Sequence, residues 1–316
     1  MKKNIKKKIS AIIACYKDAR AIPIMHKRLT KTLRQIGIDY EIIFVNDGSP
    51  DNSEDVLREL VQKDSLVIGV NHSRNFSSQM AFTSGMDIAT GDAVVLLDGD
   101  LQDPPEIIKD FYSKWVDGYD VVYGVRAKRE TPLWMALSYK LFYRIFHKMS
   151  YIQIPLDAGD FSLIDRKVVN VLKQFPERDR FLRGLRAWVG FKQTGIPYIR
   201  PERMFGKTTN NFLKNFQWAT KGIFSFSYVP LQLMTILSLI VFFIALLGMV
   251  VQVILRLLIP TTPLGITTVL ITILFIGAIQ LLGISILGEY IGKIFEEVKQ
   301  RPKYVVKNII KNSKIK

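Results

Sequence analysis

One cysteine, Cys15, stands in a chain of 316 residues, so there is no disulfide framework and no thiolate metal cluster. The three histidines, His26, His72 and His147, fall on separate segments, which argues against a zinc site. No G-x-G-x-x-G follows any apolar run, which argues against a dinucleotide-binding Rossmann enzyme. The stretch FGKTT (205–209) has the look of a phosphate-binding loop. Such a loop needs glycine five positions before Gly206, and Pro201 stands there. Acids are scarce, 28 Asp and Glu against 44 Lys and Arg, so the places where acids gather carry information. Charge of either sign is missing from Leu231 to Leu255 and again from Leu264 to Gly288, 25 residues each. Each run exceeds the ~20 residues a helix needs to cross the hydrocarbon core of a bilayer. Two transmembrane helices joined by the turn LIPTTPLG form a hairpin. The alternative, a buried core hairpin, fits two uncharged runs of that length poorly.

The flanks of the hairpin set its orientation. Its turn has only Arg256 nearby, whereas the chain after Gly288 carries eight basic side chains. The positive-inside rule puts both the large N-terminal part and this tail on the cytoplasmic side, with the weight on the tail because long domains follow the rule less strictly. The expected organisation is a cytoplasmic domain over 1–228, a hairpin over 229–289 with spans near 231–255 and 264–288, and a basic tail over 290–316. The protein is then multi-pass in the cell (inner) membrane with both termini cytoplasmic, its basic excess suited to anionic lipid and not to nucleic acid. Gln252 and Gln280, in or beside the spans, would be satisfied most easily across helices, which suits a homo-oligomer. The N-terminal MKKNIKKKISAIIAC imitates a lipoprotein signal, but Ile9–Cys15 is only seven residues long and YKD follows at once. It reads as a first β-strand.

Short apolar runs alternate with amphipathic stretches over the first 125 residues. Strands are expected at Ile9–Cys15, Glu41–Val45, Leu66–Val70, Ala93–Leu97 and Asp120–Tyr123, with helices near 20–36, 53–63, 77–89 and 105–117. Strands apolar on both faces and separated by helices indicate an α/β fold with a mostly parallel sheet covered on both sides. Ligands of such sheets bind outside the carboxyl ends of the strands. Those ends read CYKD, VNDG, VNHSRN and LDGDLQD, a polar rim rich in acids. Two further stretches, near 131–149 and 209–228, combine basic and aromatic residues and suit helices lying in the headgroup layer. Ordinary amphipathic core helices are the alternative for both.

Within VVLLDGDLQDPPE (94–106), Asp103 followed by Pro104, Pro105 and Glu106 has the pattern of a helix N-cap. Asp51 with Glu54 looks the same. Asp98 and Asp100 have no such role. Residues two apart in extended chain project to one side, so both carboxylates can face one point, where they repel unless a cation is supplied. Mg²⁺ or Mn²⁺ fits, since hard cations take oxygen ligands and share them with phosphates. Gln102 continues the same face with a neutral oxygen. Asp47, at the end of the second strand, could meet a nucleotide base or ribose or cap the turn NDGSPD.

DGDLQDPPE, VNDGSPDNS, SRNFSSQMAFTSGM, VVYGVRAKR, RFLRGLRAWVGF and GEYIGKIFEEVKQRPKY together resemble the polyprenyl-phosphate glycosyltransferases of glycosyltransferase family 2, over nearly the whole chain and in order. The resemblance implies a GT-A catalytic domain that transfers a sugar, with inversion, from a nucleotide donor to a lipid-linked phosphate. It implies that Asp98, Asp100 and Gln102 handle metal and donor diphosphate, and that Tyr16, Asp18 and Asp47 line the nucleotide pocket. It likens Arg126, Arg129, Arg203 and Lys207 to groups that hold the acceptor phosphate, and Asp157 to the catalytic base, with Asp160 its close rival. By analogy UDP-glucose leads as donor and a membrane polyprenyl phosphate is the acceptor. Two departures stand out: YKD replaces the commoner YNE, so Asp18 replaces Glu, and Gly99 replaces the commoner Ala. A processive polysaccharide synthase would need Q-x-x-R-W, which RGLRAW does not supply. A non-catalytic membrane scaffold would have no need of Asp47, Asp98 and Asp100 together.

Overall fold

A computed structural model describes residues 7–126, 158–205, 227–258 and 265–312. The chain forms two compact units. One comprises Met1–Arg144, Ile152–Asn215 and Arg301–Lys316; the other comprises Ile145–Tyr151 and Phe216–Gln300. Of the expected interfacial helices, residues 131–149 lie outside the described residues, as do all but the last two of 209–228.

The first unit is built on one sheet. Its strands are β1 (Lys8–Cys15), β2 (Asp39–Asn46), β3 (Val67–His72), β4 (Ala93–Asp98), β5 (Val121–Arg126), β6 (Ala158–Asp165), β7 (Gln193–Tyr198) and β8 (Val306–Ile310), in the order β7-β5-β6-β4-β1-β2-β3-β8. β4, β1, β2 and β3 run parallel, as do β5 and β7. β6 lies antiparallel between β4 and β5, and β8 antiparallel along β3. The helices are α1 (Ile22–Ile36), α2 (Ser53–Lys63), α3 (Ser78–Ile88), α4 (Ile108–Val116), α5 (Arg166–Gln174) and α6 (Leu182–Trp188). β1 is buried from Ile9 to Cys15 and β2 from Tyr40 to Asn46, the signature of strands covered on both faces. This is the expected α/β architecture with a mostly parallel sheet, and its four-strand parallel core leaves the carboxyl ends of β1 to β4 along one rim.

Core packing reaches up to that rim. Phe111 of α4 meets Phe161 of β6 at 4.7 Å between ring centroids, and Phe161 meets the ring of Tyr198 edge-on at 5.6 Å. Each fully buried ring of this kind contributes roughly 1.5–3 kcal/mol, and together they fix the direction in which the Tyr198 hydroxyl points.

The residues expected to be a tail do more than trail. Val306–Ile310 complete the sheet as β8, covering the edge that β3 would otherwise leave open.

The second unit contains α7 (Val229–Leu258) and α8 (Ile266–Val298). Both are long and apolar enough to cross a membrane, over Val229–Leu255 and Ile271–Val298. Their apolar side chains are exposed, Phe243, Ile244 and Leu274 among them. A side chain at Gly283 would approach Met234 Cε to 2.9 Å, so the two helices pack closely there. The Tyr290 hydroxyl donates to the Ser227 carbonyl at 2.7 Å.

Candidate active site

Four strand ends meet at the rim, and each arrives with a polar turn. Three of the four non-glycine residues with positive φ among the described residues sit there: Lys17 (61°) after β1, Ser77 (87°) after β3 and Leu101 (64°) after β4. Such conformations cost energy, and their collection at one edge is the pattern of a functional site. After β2, Gly48 (φ 60°) lies so close to Arg74 that a Cβ would fall 2.2 Å from its carbonyl carbon, which only glycine can tolerate.

Asp98 and Asp100 do converge. Arg200 Nη2 lies 4.0 Å from Asp98 Oδ2 and 3.8 Å from Asp100 Oδ2, so one positive group faces both carboxylates. Arg203 Nη2 donates to Asp100 Oδ2 at 2.8 Å, and Asp100 is buried. Burial pushes the Asp98 carboxyl up to about 8, helped by Asp103, Asp100 and Asp160 and opposed by Arg200. Two hard carboxylate oxygens aimed at one point are a donor set that suits Mg²⁺ or Mn²⁺. Among the described residues no third Asp, Glu, His or Cys joins them, so the remaining ligands would be oxygens of substrate or water. Gln102 is turned toward the chain, its Nε2 donating to the Pro201 carbonyl at 3.1 Å.

Asp103 is not a helix cap, contrary to its sequence pattern. The short 3₁₀ turn Pro105–Ile107 has Pro104 at its cap and no side-chain capping bond. Asp103 is 1% exposed, accepts from the Tyr198 hydroxyl at 2.7 Å and faces the Asp98 backbone N–H at 3.4 Å. Burial raises its carboxyl pKa, against Arg200, Tyr198 and Arg126. It lies behind the pair with its carboxyl turned onto Tyr198 and away from the point the pair faces. Asp51 and Glu54 are not a capping box either. Asp51 accepts from the Ala19 and Ser53 backbone N–H groups and two serine hydroxyls, and Glu54 accepts from Lys307 and Asn308.

Asp18 accepts from the Tyr16 backbone N–H at 3.0 Å. Burial lifts its carboxyl to about 6; Asp100 and Asp51 add to the rise, while Tyr16 N–H and Arg203 oppose it. The Cβ that Gly99 lacks would stand 3.1 Å from Asp18 Oδ2, and 2.9 Å from both Ala14 O and Cys15 Sγ. The two departures from the commoner motif thus face each other. Tyr16 presents an exposed ring beside them. Cys15 is buried beneath, its thiol pKa raised by burial and by the surrounding acids.

A family model, Glycosyl transferase family 2, matches residues 10–172, more than half of the chain. The chain belongs to glycosyl transferase family 2. The Prophage bactoprenol glucosyl transferase homolog of Escherichia coli is 37% identical over 312 residues, 96% of this chain and all of that one. The Bactoprenol glucosyl transferase of Shigella phage SfV is 38% identical, covering 95% of this chain and 98% of its own. An uncharacterized glycosyltransferase of Synechocystis is 40% identical, covering 95% of each. Among solved structures, a mannosyltransferase of Pyrobaculum calidifontis in complex with GDP-Man and Mn²⁺ aligns at a TM-score of 0.47 and 13% identity, over 95% of this chain and 89% of that one. The mostly parallel sheet is that of a GT-A-like glycosyltransferase, and Asp98 and Asp100 stand at the carboxyl end of its β4.

Seen as a family 2 site, the remaining residues fall into three groups. Asp47 is 2% exposed; its Oδ1 takes His72 Nδ1 at 2.8 Å and Phe76 N–H at 2.9 Å, and its Oδ2 takes Ser77 N–H at 2.8 Å. It organises the loop after β3 from below. Asp160 is held by Gln79 Nε2 at 3.0 Å and by both Arg183 Nε and Nη2 at 3.1 Å. Burial alone would raise its carboxyl, but Arg183, Arg186 and Gln79 outweigh that and leave it lowered. Gln79 and Arg183 between them engage both of its oxygens. Arg126, at the end of β5, lies beside Gly159, and its buried Nε has no hydrogen-bond partner among the described residues. Asp157, Arg129 and Lys207 lie outside the described residues. Arg200 had no signal in the sequence: one arginine in a strongly basic chain is unremarked until the fold sets it on two aspartates.

Proposed function

We propose that the chain transfers glucose from UDP-glucose to the phosphate of a membrane polyprenyl phosphate, with inversion at the sugar's anomeric carbon. The observation that carries this reading is the near full-length similarity to bactoprenol glucosyl transferases, which extends well beyond the family domain and through the apolar helices. In the reaction an acceptor phosphate oxygen bonds to the anomeric carbon as the bond from that carbon to the donor diphosphate breaks and UDP leaves. A phosphate monoester has its second pKa near ~6, so the attacking oxygen is largely ionised at neutral pH and needs placement more than proton removal.

Asp98 and Asp100 are the residues that would hold Mg²⁺ or Mn²⁺, which when bound supplies Lewis-acid stabilisation of the departing diphosphate. Arg200 and Arg203 bring fixed positive charge to the same edge. Tyr16 offers an exposed ring face to the nucleotide base, with Asp18 beside it and Asp47 holding the neighbouring loop. Arg126, with Arg129, Arg203 and Lys207, meets the acceptor phosphate, because guanidinium forks match phosphate oxygens. Asp157 orients the acceptor or serves as base. α7 and α8 cross the membrane as a hairpin, with the catalytic unit and both termini cytoplasmic, so the acceptor's head is met at the bilayer surface. Gln252 and Gln280 pair across helices in a homo-oligomer.

Purified full-length protein, offered a panel of nucleotide sugars and one short polyprenyl phosphate with Mg²⁺ or Mn²⁺, tests this. Lipid-linked glucose and UDP are expected from UDP-glucose, and chelation should stop the reaction. Turnover with GDP-mannose or UDP-GlcNAc alone would replace the donor and keep the acceptor. No release of nucleotide with any donor would defeat the enzyme reading.

A further inference from the structure

The segment after the second apolar helix, residues 301–312, packs Ile310 on the core of the first unit and adds polar contacts, two chains of which lead to the donor rim. The first is a ladder of amides across three strands. Asn308 of β8 pairs in register with Asn71 of β3, and Asn71 with Asn46 of β2. Asn71 Nδ2 donates to Asn308 Oδ1 at 2.7 Å, Asn46 Nδ2 to Asn71 Oδ1 at 2.8 Å, and Ser49 N–H to Asn46 Oδ1 at 3.1 Å. Asn46 and Asn71 are buried, so each broken link would strand a polar group away from water. The ladder ends on the turn after β2.

The second chain starts at Tyr304. Its ring stacks on His72, 5.3 Å between centroids and 13° from parallel, and its hydroxyl donates to Asp87 at 2.6 Å. His72 is buried between Asp47 Oδ1 and Ser84 Oγ, each 2.8 Å from a ring nitrogen. A carboxylate only accepts, so Nδ1 carries the proton that faces Asp47. Asp47 in turn holds the Phe76 and Ser77 amides, the latter in a strained conformation that persists only while its surroundings fix it. This chain ends on the loop after β3. The strand is locked between the two: a bulge at Lys307, where pairing steps from Asn71–Asn308 to His72–Val306, sends that lysine to Glu54, and Ser73 N–H donates to Val305 O.

The inward face of β8 carries Val306, Asn308 and Ile310, and Ile310 packs on the core, so apolar burial accounts for the end of the strand; it does not account for a buried amide ladder at Asn308 or for the Tyr304 ring stacked on His72. We propose that the C-terminal segment is a positioning element for the nucleotide-sugar donor, with Tyr304 and Asn308 setting the loops after β3 and β2 from outside the site. The assignment of those loops to the donor rests on the function proposed above.

The test uses full-length protein carrying Tyr304→Ala, Tyr304→Phe or Asn308→Leu. Backbone amide exchange is followed over residues 46–51 and 72–78, together with donor and acceptor KM. Tyr304→Ala should speed exchange in 72–78 and raise donor KM about fivefold to tenfold, a coupling of ordinary size, with acceptor KM and kcat held within about twofold. Tyr304→Phe keeps the ring stack and should behave as wild type. Asn308→Leu should act on 46–51, and it keeps the proposal exposed should Tyr304→Ala fail to fold. Wild-type exchange and donor KM in both Tyr304→Ala and Asn308→Leu would overturn the proposal, as would equal losses in acceptor and donor KM. If wild type turns over no nucleotide sugar, the functional reading fails, while the exchange difference alone still decides the coupling.

Discussion

Replacing Asp47 by Asn tests whether this acid touches the nucleotide or builds the loop that does. The carboxylate is 2% exposed and accepts three hydrogen bonds within 2.9 Å, one from His72 and two from backbone amides. An amide of the same shape keeps one oxygen. Its NH₂ must then face either Ser77 N–H or the pair His72 and Phe76, donor against donor. A hydrogen bond to a charged group is worth roughly 1.5–3 kcal/mol, and a buried donor left without an acceptor costs roughly 1–3 kcal/mol. Some relaxation of the loop will recover part of this, so Asp47→Asn should destabilise by about 2–4 kcal/mol, allowing for overlap of the two terms. At roughly 2–4 °C per kcal/mol for a domain of this size, the melt of the purified protein should fall by about 5–15 °C. Donor KM should rise as the loop loosens. An unchanged melt with a raised donor KM would refute the reasoning and make Asp47 a direct ligand of the nucleotide.

Asp100→Asn removes the anion that meets Arg203 at 2.8 Å and one of the two proposed metal ligands, so turnover should drop by about 10² or more and Mn²⁺ binding, read by electron paramagnetic resonance, should weaken. Turnover within twofold of wild type would remove Asp100 from the metal site. Gly99→Ala places a methyl group 2.9 Å from the Ala14 carbonyl oxygen, which is backbone and cannot step aside; a loss of about 1–3 kcal/mol in stability is expected from such overpacking, and a wild-type melt would count against it. Glu41 is buried at the far end of the sheet, where burial raises its carboxyl but Lys8, Ser10 and Thr90 prevail and hold it below 4.5. A depressed folded pKa means its contribution is fully present above about pH 4.5 and is lost as pH falls through the folded value, so Glu41→Gln should flatten the acid limb of the stability profile; an unaltered acid limb would show that Glu41 is not what that limb reports.

β1 to β5 were legible because strands buried on both faces read as unbroken apolar runs, and their observed ends lie close to the expected ones. β6 and β8 were not. β6 inserts between β4 and β5 out of chain order, and its sequence AGDFSLID spends polar residues on the site it passes. β8, VKNII, has the composition of a basic tail, and it is held by pairing with β3 and by contacts such as an amide pair 237 residues apart in the chain, which no local pattern announces. The same limit applies at the site. Asp98 and Asp100 were legible from their period-two spacing at a strand end. Asp103 was misread because acid-Pro-Pro-Glu is a sound local helix start; a tyrosine 95 residues away overrides it.

That misreading bears on how the site handles charge. Asp98, Asp100, Asp103 and Asp18 lie close enough for each to influence another's protonation, and the donor proposed above would add a diphosphate to them. Two unit charges 4 Å apart repel by about 4 kcal/mol at an effective dielectric of 20, so a bare acidic rim would reject its own substrate. Asp103 is turned inward onto Tyr198, Asp160 onto Arg183 and Asp100 onto Arg203; in the function proposed above, a cation shared with the incoming phosphate would join Asp98 and Asp100. Arg200 stands within reach of both carboxylates, and Arg203 bonds to Asp100. The acids therefore act as a set: Asp103, Asp160 and Asp100 are answered by protein donors, and Asp98, faced by Arg200 at 4.0 Å, is the one with most to gain from the cation proposed above. Removing Arg203 should for that reason weaken substrate binding more than it weakens the fold, since Asp100 would keep Arg200 at 3.8 Å, and a melt that falls while donor and acceptor KM both stay constant would reverse the argument.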